Sequence, residues 1–535
     1  MRRRAFSRLA ATLAAALLPL AATLVATVAA APAAGAATWT GTWAVSPQNS
    51  GTTFNKQTLR QIVHTSIGGT SARVQLSNAF GTMPVTFDDV HVARRTSGSG
   101  VDLATDRVVT FGGLRAVTVP AGGLAMSDAI AITVPAQADL AVSFYLPQPT
   151  GPATYHQTST QTNYLAAGDV SGNASLPGAQ EPGSYYFLAN LDVQNASSQG
   201  AVVTLGASIT DGVGSSWNNN RRWPNRLATR VIDSGRVVGV LNQGISGNKL
   251  LADGAGQAAP KRFDRDVLNQ PDVRWVIFSD DPINDLGSGS NPTATQLIDA
   301  VKQLISRAHA RNVKFVCSTL TPFRGSGGWS QNAENQRAAY NAFVRGAGSG
   351  CDAVLDQDAA TRDPGNPQMF LPAYDTGDHL HPNEAGLQAI ANAVDLNWFG
   401  PPVTPVTSVV SLRARANNMF VTAPNGSPLI ANRTSAGTAE QFERVNLGNG
   451  DIALRARSNN QFVTAENAGA QALIANRPSA GAWETFQLVN NPDGTVSLKA
   501  RVNGKYVCAE GGGSQPLIAN RTAIGPWESF DLVPA

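Results

Sequence analysis

From Thr38 to about Asn195 the apolar and polar positions alternate in short runs. Ala72-Arg73-Val74-Gln75-Leu76-Ser77 and Asp139-Leu140-Ala141-Val142-Ser143-Phe144-Tyr145-Leu146 are the clearest. A period of two suits a strand with one buried face. Clusters of Gly, Pro, Asn and Ser punctuate the runs, and no long helical period intervenes. Residues 38–199 therefore predict a β-rich, sandwich-like N-terminal domain. From Gly200 the rhythm changes. Val202-Val203-Thr204-Leu205 is a short apolar run suited to a fully buried strand, and similar runs follow at 237–241, 273–278, 313–317 and 353–355. Helical patterns separate most of them, notably over 293–310, 331–344 and 382–396. Strands alternating with helices predict an α/β domain over 200–400, a parallel sheet covered on both faces as three layers. In such a sheet ligands bind beyond the carboxyl ends of the strands, which directs the search for chemistry to the residues after each strand.

A third rhythm follows Pro401-Pro402-Val403-Thr404-Pro405-Val406-Thr407, a Pro/Thr linker assigned to 401–408 and expected to be extended. Leu429-Ile430-Ala431-Asn432-Arg433 recurs at 473–477 and 517–521, a period of 44 residues, and Phe442, Phe486 and Phe530 keep the same period. A propeller needs at least four blades and a solenoid needs capping units, so three all-β units over 409–535 fit a β-trefoil better. The repeated Asn-Arg and Trp-Glu-x-Phe elements (Trp483, Glu484, Phe486; Trp527, Glu528, Phe530) resemble fascin-like β-trefoil modules of secreted bacterial polysaccharide-degrading enzymes. That resemblance implies carbohydrate binding. The first unit departs, with Ala439 in the Trp position. Trp483 and Trp527 are expected in the core of the units rather than as sugar platforms, and the Asn-Arg pairs read equally well as hairpin-turn hydrogen-bonding devices.

Composition narrows the setting. Arg2, Arg3 and Arg4, a long Ala/Leu/Val run and Ala34-Gly35-Ala36 have the layout of a signal peptide over 1–37, with an uncleaved anchor as the rival reading. The chain is thus expected to be secreted and extracellular, without membrane contact after cleavage. A net charge of +3 over 535 residues, unclustered, leaves no footprint for nucleic acid. Three cysteines cannot build a disulfide scaffold; Cys317 and Cys351 are one candidate pair, which leaves Cys508 free. No His/Cys cluster has metal-ligand spacing, so neither metal nor organic cofactor is expected.

The chemistry collects in four blocks. Leu205-Gly206-Ala207-Ser208-Ile209-Thr210-Asp211-Gly212 follows the first parallel strand and puts Ser208 in a Gly-flanked turn. A serine is a poor nucleophile until a base takes its proton. Asp378-His379-Leu380-His381-Pro382 supplies a candidate, His381, with Asp378 to orient it and Pro382 in the first turn of a following helix. Asn242-Gln243-Gly244-Ile245-Ser246-Gly247-Asn248 and Pro282-Ile283-Asn284-Asp285 follow the second and third strands. There the Gly247 N–H and the Asn284 amide are candidate oxyanion donors. Taken singly, Ser208 reads as a turn residue and Asp378 as a helix cap. His379 reads as a surface neighbour, and Asn218–Trp223 lines the cleft only by position.

These four blocks, in this order, resemble the SGNH/GDSL hydrolase superfamily over about 200–400, and 38–195 resemble the β-rich leader of secreted actinobacterial members. The resemblance implies Ser208 as nucleophile, Asp378 and His381 as its triad partners, and Ser208, Gly247 and Asn284 as the oxyanion hole. Two departures stand out. The Asp usual after the first-block Gly is Ala207, and the third block reads Asp280-Asp281-Pro282-Ile283-Asn284-Asp285, with Pro in place of the usual Gly. Asp280 and Asp281 are expected to be loop carboxylates or partners of Arg221 and Arg222. A paired acid/base role in glycosidic cleavage is the rival. The first reading of function is a secreted serine esterase that deacylates a polysaccharide or other acylated carbohydrate. A glycoside-cleaving enzyme on the same fold and a non-catalytic carbohydrate-binding protein are the alternatives.

Overall fold

The computed structural model describes residues 38–403, 407–448, 451–478, 480–491 and 493–534. The signal-peptide expectation for 1–37 and the middle of the Pro/Thr linker lie outside the described residues. Among the described residues no helix is long and apolar enough to cross a membrane.

Residues 39–194 form antiparallel sheets. One runs in the order Trp39–Ala44, Leu188–Gln194, Ser71–Ser77, Leu124–Met126; another is built around Gln57–His64, Asp139–Leu146 and Val85–Arg94. Alternation in Ser71–Ser77 does as its sequence predicts: Ala72, Val74 and Leu76 are buried and Arg73 and Gln75 are only partly so. Their inward faces meet in a core with Leu59, Val63, Phe87, Val142, Phe144 and Leu191.

The parallel sheet consists, among the described residues, of β1 (Ala201–Gly206), β2 (Gly239–Gly244), β3 (Val273–Phe278), β4 (Lys314–Ser318) and β5 (Ala353–Leu355). Their order is β2-β1-β3-β4-β5, all parallel. Helices α1 (Ser208–Asp211), α2 (Trp223–Asp233), α3 (Ala259–Phe263), α4 (Asp281–Leu286), α5 (Ala294–His309), α6 (Gln331–Arg345), α7 (Gln357–Thr361) and α8 (Glu384–Ala393) intervene. Leu227 and Val231 of α2 and Leu387 and Ile390 of α8 cover one face through Val202, Val240 and Ile277. Leu297 and Val301 of α5 and Tyr340 of α6 cover the other through Val203, Leu205 and Phe278. Double coverage is why these strands are apolar throughout.

Two elements differ from expectation by more than one residue at an end. β2 starts at Gly239 rather than Val237 and runs through Asn242, Gln243 and Gly244, which pair with Thr204, Leu205 and Gly206. The Val237 N–H goes instead to the Gln199 side chain. The helix expected over 382–396 is α8, 384–393: Asn383 is its cap, its side chain accepting from the Ala385 and Gly386 N–H groups, and Pro382 stays outside.

The N-terminal region and the α/β domain are in close contact. A Cβ on Gly239 would lie 2.0 Å from the Gly41 carbonyl oxygen, so only glycine lets the first N-terminal strand approach β2. A disulfide joins Cys317, in β4, to Cys351, with Cα atoms 5.7 Å apart, and Cys508 is free and buried.

The C-terminal region is all β. Thr407–Ala414 pairs with both Gln441–Gly448 and the last strand, Phe530–Pro534. Repeat-related residues stack in one core: Leu412, Leu454 and Leu498; Val421, Val463 and Val507; Phe442, Phe486 and Phe530. Trp483 and Trp527, expected in that core, are 37% and 41% exposed. The Phe three residues later fills the core, and Glu484 and Glu528 turn back to accept the Gly481 and Gly525 N–H groups. The Asn-Arg pairs hydrogen-bond within the units: Asn476 and Arg477 donate to Glu466, Asn520 and Arg521 to Glu510.

Candidate active site

β1 ends on Gly206, and the chain turns at once into α1, with Ser208 as its first residue. A Cβ on Gly206 would come within 2.3 Å of Thr210 Oγ1 and 2.4 Å of Asp280 Oδ1, so the turn closes only around glycine. Gly212, at φ +111°, ends the helix after four residues. Ser208 is 6% exposed. Its N–H is one of the orphan donors of a helix start, and no acceptor faces it among the described residues.

Residues 173 positions apart in sequence meet here. His381 Nε2 lies 2.8 Å from Ser208 Oγ, and His381 Nδ1 lies 2.6 Å from Asp378 Oδ2. The Asp378 carboxylate can only accept, so Nδ1 carries the ring hydrogen and the Nε2 lone pair faces the serine hydroxyl. Asp378 Oδ1 accepts from the Leu380 and His381 N–H groups and from Thr376 Oγ1. Partial burial opposes its charge, but the hydrogen bonds from the His381 ring and from both N–H groups overcome it. They hold the carboxyl well below the usual carboxylate range. Asp378 therefore stays charged beside the ring, and a hydroxyl so placed can pass its proton to the imidazole.

Asp280 and Asp281 do not pair with Arg221 and Arg222. Arg221 bonds Glu384, and Arg222 bonds Asn225. Asp280, 2% exposed, clamps the serine turn instead: Oδ1 accepts from the Ala207 N–H (3.0 Å) and Thr210 Oγ1 (2.6 Å), and Oδ2 from the Ile209 N–H (2.8 Å). Asp281, fully buried, accepts from Asn248 Nδ2 (2.6 Å) and lies 3.3 Å from Arg262. Burial pushes the Asp281 carboxyl up, Arg262 pulls it back, and Asp280 adds to the rise. Both carboxylates thus turn inward, which a neighbour-by-neighbour reading of Asp-Asp-Pro does not reveal. Pro282 costs nothing here, because it occupies the first turn of α4, where its N–H would be unpaired anyway.

The two other candidate donors flank β1. Gly247, at φ +79°, lies exposed after β2, and its N–H faces no acceptor among the described residues. Asn284 lies on α4, half-buried, and one amide hydrogen goes to the Asn248 carbonyl at 2.8 Å, which ties the two loops together. Neither Gly247 nor Asn284 hydrogen-bonds Ser208 directly. Asp285 accepts from the Leu250 and Leu251 N–H groups, and burial raises its carboxyl to about 6.

His379 has its own carboxylate, Asp375, at 2.5 Å, and no bond to Ser208. Trp223 does not line a cleft; it is fully buried under the sheet, and Asn218 and Asn220 bond the N-terminal region at Thr160 and His64. Among the described residues no group of three or more His, Cys, Asp or Glu side chains is placed to hold a metal ion.

Residues 204–389 match the GDSL-like Lipase/Acylhydrolase family. This span opens in β1 and ends in α8, and it makes the α/β unit a GDSL-type hydrolase domain. Among solved structures, a lipolytic protein of the G-D-S-L family from Desulfitobacterium hafniense DCB-2 is similar at 19% identity, over 36% of this chain and 96% of that one, with a TM-score of 0.29. A protein described as an acylhydrolase from Bacteroides fragilis NCTC 9343 is similar at 21% identity, over 36% and 83%, with a TM-score of 0.27. The designed 3-fold symmetric protein ThreeFoil is similar at 26% identity, over 24% and 99%, with a TM-score of 0.23. No curated relative matches the chain.

Proposed function

We propose that this chain is a secreted serine esterase that removes acyl groups from a polysaccharide or other acylated carbohydrate through Ser208, His381 and Asp378. The observation that carries the reading is the bond between Ser208 Oγ and His381 Nε2, with Asp378 on the far side of the ring. Ser208 Oγ attacks the acyl carbonyl as His381 Nε2 takes its proton. The charged Asp378 stabilises the imidazolium that forms. The N–H groups of Ser208 and Gly247 and the amide of Asn284 receive the oxyanion. His381 then gives that proton to the departing sugar oxygen as its bond to the acyl carbon breaks, and the sugar leaves as an alcohol. Water attacks the acyl-enzyme with His381 again as base, and the acid leaves.

Secretion is supported by the export-type leader and by the Cys317–Cys351 disulfide, since such bonds persist in oxidising compartments. A carbohydrate partner is supported by the C-terminal repeats, read as a β-trefoil: three units share one core, the first strand pairs with the last, and Trp483 and Trp527 stand exposed. The glycoside-cleaving reading loses its support, because Asp280 and Asp281 are buried and committed to internal bonds. A non-catalytic reading leaves the hydrogen-bonded Ser208-His381-Asp378 chain without a purpose.

Ser208→Ala, measured for acid released from acetylated xylan and p-nitrophenyl acetate, is expected to remove turnover while the fold persists. Turnover equal to wild type would overturn the assignment. New reducing ends produced by both proteins would revive the glycosidic alternative.

A further inference from the structure

His156 belongs to the N-terminal β region yet reaches the serine helix. It is 3% exposed, with Nδ1 3.0 Å from the Ser46 carbonyl oxygen and Nε2 3.0 Å from Asp211 Oδ1. Asp211 closes α1, three residues after Ser208, and is 2% exposed. Its other oxygen, Oδ2, accepts from the Ser246 N–H (3.0 Å) and Ser246 Oγ (2.5 Å). Ser246 is the neighbour of Gly247. One buried chain of polar contacts thus runs from the N-terminal region through the last residue of the serine helix to the loop of the candidate oxyanion donor.

The hydrogen bonds have a direction. A carbonyl oxygen only accepts, so His156 Nδ1 carries a hydrogen. Asp211 Oδ1 faces the other ring nitrogen, so a single hydrogen lies between Nε2 and Oδ1. His156 and Asp211 thus satisfy each other through one shared hydrogen, both out of reach of water. Removing one partner leaves the other's buried polar group without its hydrogen bond where water cannot reach it. When the histidine is removed, that group is Asp211, on the helix that carries Ser208. The same region braces the turn from beneath: Ser46 Oγ accepts from Arg262, whose other nitrogen donates to the Gly206 carbonyl.

We propose that His156 is a positioning residue for the reaction, setting Ser208 and Gly247 in register through Asp211 and Ser246. The N-terminal region is then part of the catalytic apparatus rather than an appended domain. The inference rests on the reading of Ser208 as nucleophile. His156 does not touch the serine hydroxyl and takes no proton from it.

The test uses the full chain and p-nitrophenyl acetate. His156→Gln is expected to lower kcat about 10²-fold with KM within about twofold, the signature of a misplaced reacting group rather than lost binding. With its amide nitrogen on the Ser46 carbonyl, a glutamine turns its oxygen to Asp211 Oδ1, and the two oxygens lack the hydrogen that the imidazole shared. Adding Asp211→Asn restores the sequence of donors and acceptors: glutamine amide to Ser46, asparagine amide to glutamine oxygen, Ser246 to asparagine oxygen. The double variant is therefore expected to regain roughly tenfold in kcat over the single one.

His91→Gln is the control, because His91 is also a buried histidine of the N-terminal region, held between Asp106 and Asp89. It is expected to keep wild-type kcat. If His156→Gln proves too unstable to purify, Ser246→Ala cuts the far end of the chain and is expected to lose up to roughly tenfold in kcat. A folded His156→Gln protein with wild-type kcat, an equal loss in His91→Gln, or a double variant no better than the single one would each overturn the proposal. Ser208→Ala run alongside separates the two readings: if it keeps turnover, the nucleophile assignment fails; if it is dead while His156→Gln is normal, only this inference fails.

Discussion

The polar signals of the GDSL-type domain and those of the C-terminal repeats are built in opposite directions. At the ends of β1, β2 and β3 the carboxylates turn inward: Asp280 holds the serine turn, Asp281 holds Asn248, and Asp285 holds the loop after Gly247. In the repeats the same kind of short motif splits. Phe486 and Phe530 go to the core, Glu484 and Glu528 to turns, and Trp483 and Trp527 to solvent. A site for covalent chemistry needs groups held by buried partners, since misplacement by an ångström is costly. A surface that meets a polymer needs its aromatic faces open. On the proposed function, substitutions in the first region should act on turnover and those in the second on binding.

The largest break comes from Ser208→Ala, expected to lower kcat by at least about 10⁴-fold while leaving any retention on insoluble polysaccharide unchanged. Saturation kinetics and pull-down on the same preparation check both halves. Asp280→Asn comes next. An amide accepts at one atom only and presents a donor to the Ile209 or Ala207 N–H, so kcat should fall about 10²-fold. A normal kcat would mean that the turn holds itself.

Removing the disulfide with Cys317→Ser and Cys351→Ser should cost about 3 kcal/mol in denaturant unfolding of the α/β unit. The C-terminal repeats, whose Cys508 is unbonded, should be insensitive to reductant. Trp483→Ala with Trp527→Ala should leave kcat on p-nitrophenyl acetate within about twofold and weaken retention on polymer by about tenfold or less. A loss of kcat instead would abolish the division between the regions.

The smallest effect is a slope. The Asp285 carboxyl, raised by burial to about 6, binds its proton more tightly folded than unfolded. The folded state therefore loses stability as pH rises from about 4 to about 6, and Asp285 adds no further change above that. Asp378, depressed, works the other way, its contribution fully present near neutral pH and lost as pH falls through its folded value. Melting curves of Asp285→Asn should show a flatter pH dependence between about pH 4 and pH 6 than wild type.

Much of the domain was legible because its signals are local. A run such as Val202–Leu205 must be buried on both faces, and the Ala72–Ser77 alternation must be buried on one. The expected strand at 273–278 is β3 residue for residue. Where a signal was local but ambiguous, the reading slipped. Pro382 suits a helix start, yet Asn383 caps the helix because its side chain reaches two free N–H groups. β2 runs on through polar residues because its neighbour β1 supplies the backbone partners. The four blocks were visible as residue types in order, and the Ser208, His381 and Asp378 contacts bring three of those residues together.

By itself the sequence determined the five parallel strands to within a few residues, three of the longer helices, where the rhythm changes, that three units repeat at 44 residues, and which serine follows the first parallel strand. These are properties of spacing, and spacing is written along one dimension. Tertiary structure alone decided what each polar side chain bonds to. Asp280 reads the same in sequence whether it faces a sugar, an arginine or the Ile209 N–H. His156 carries no mark of its partnership with Asp211, 55 residues away. A carboxylate or an imidazole satisfies its hydrogen bonds with whatever the fold brings within about 3 Å, and that choice exists only once the chain has closed.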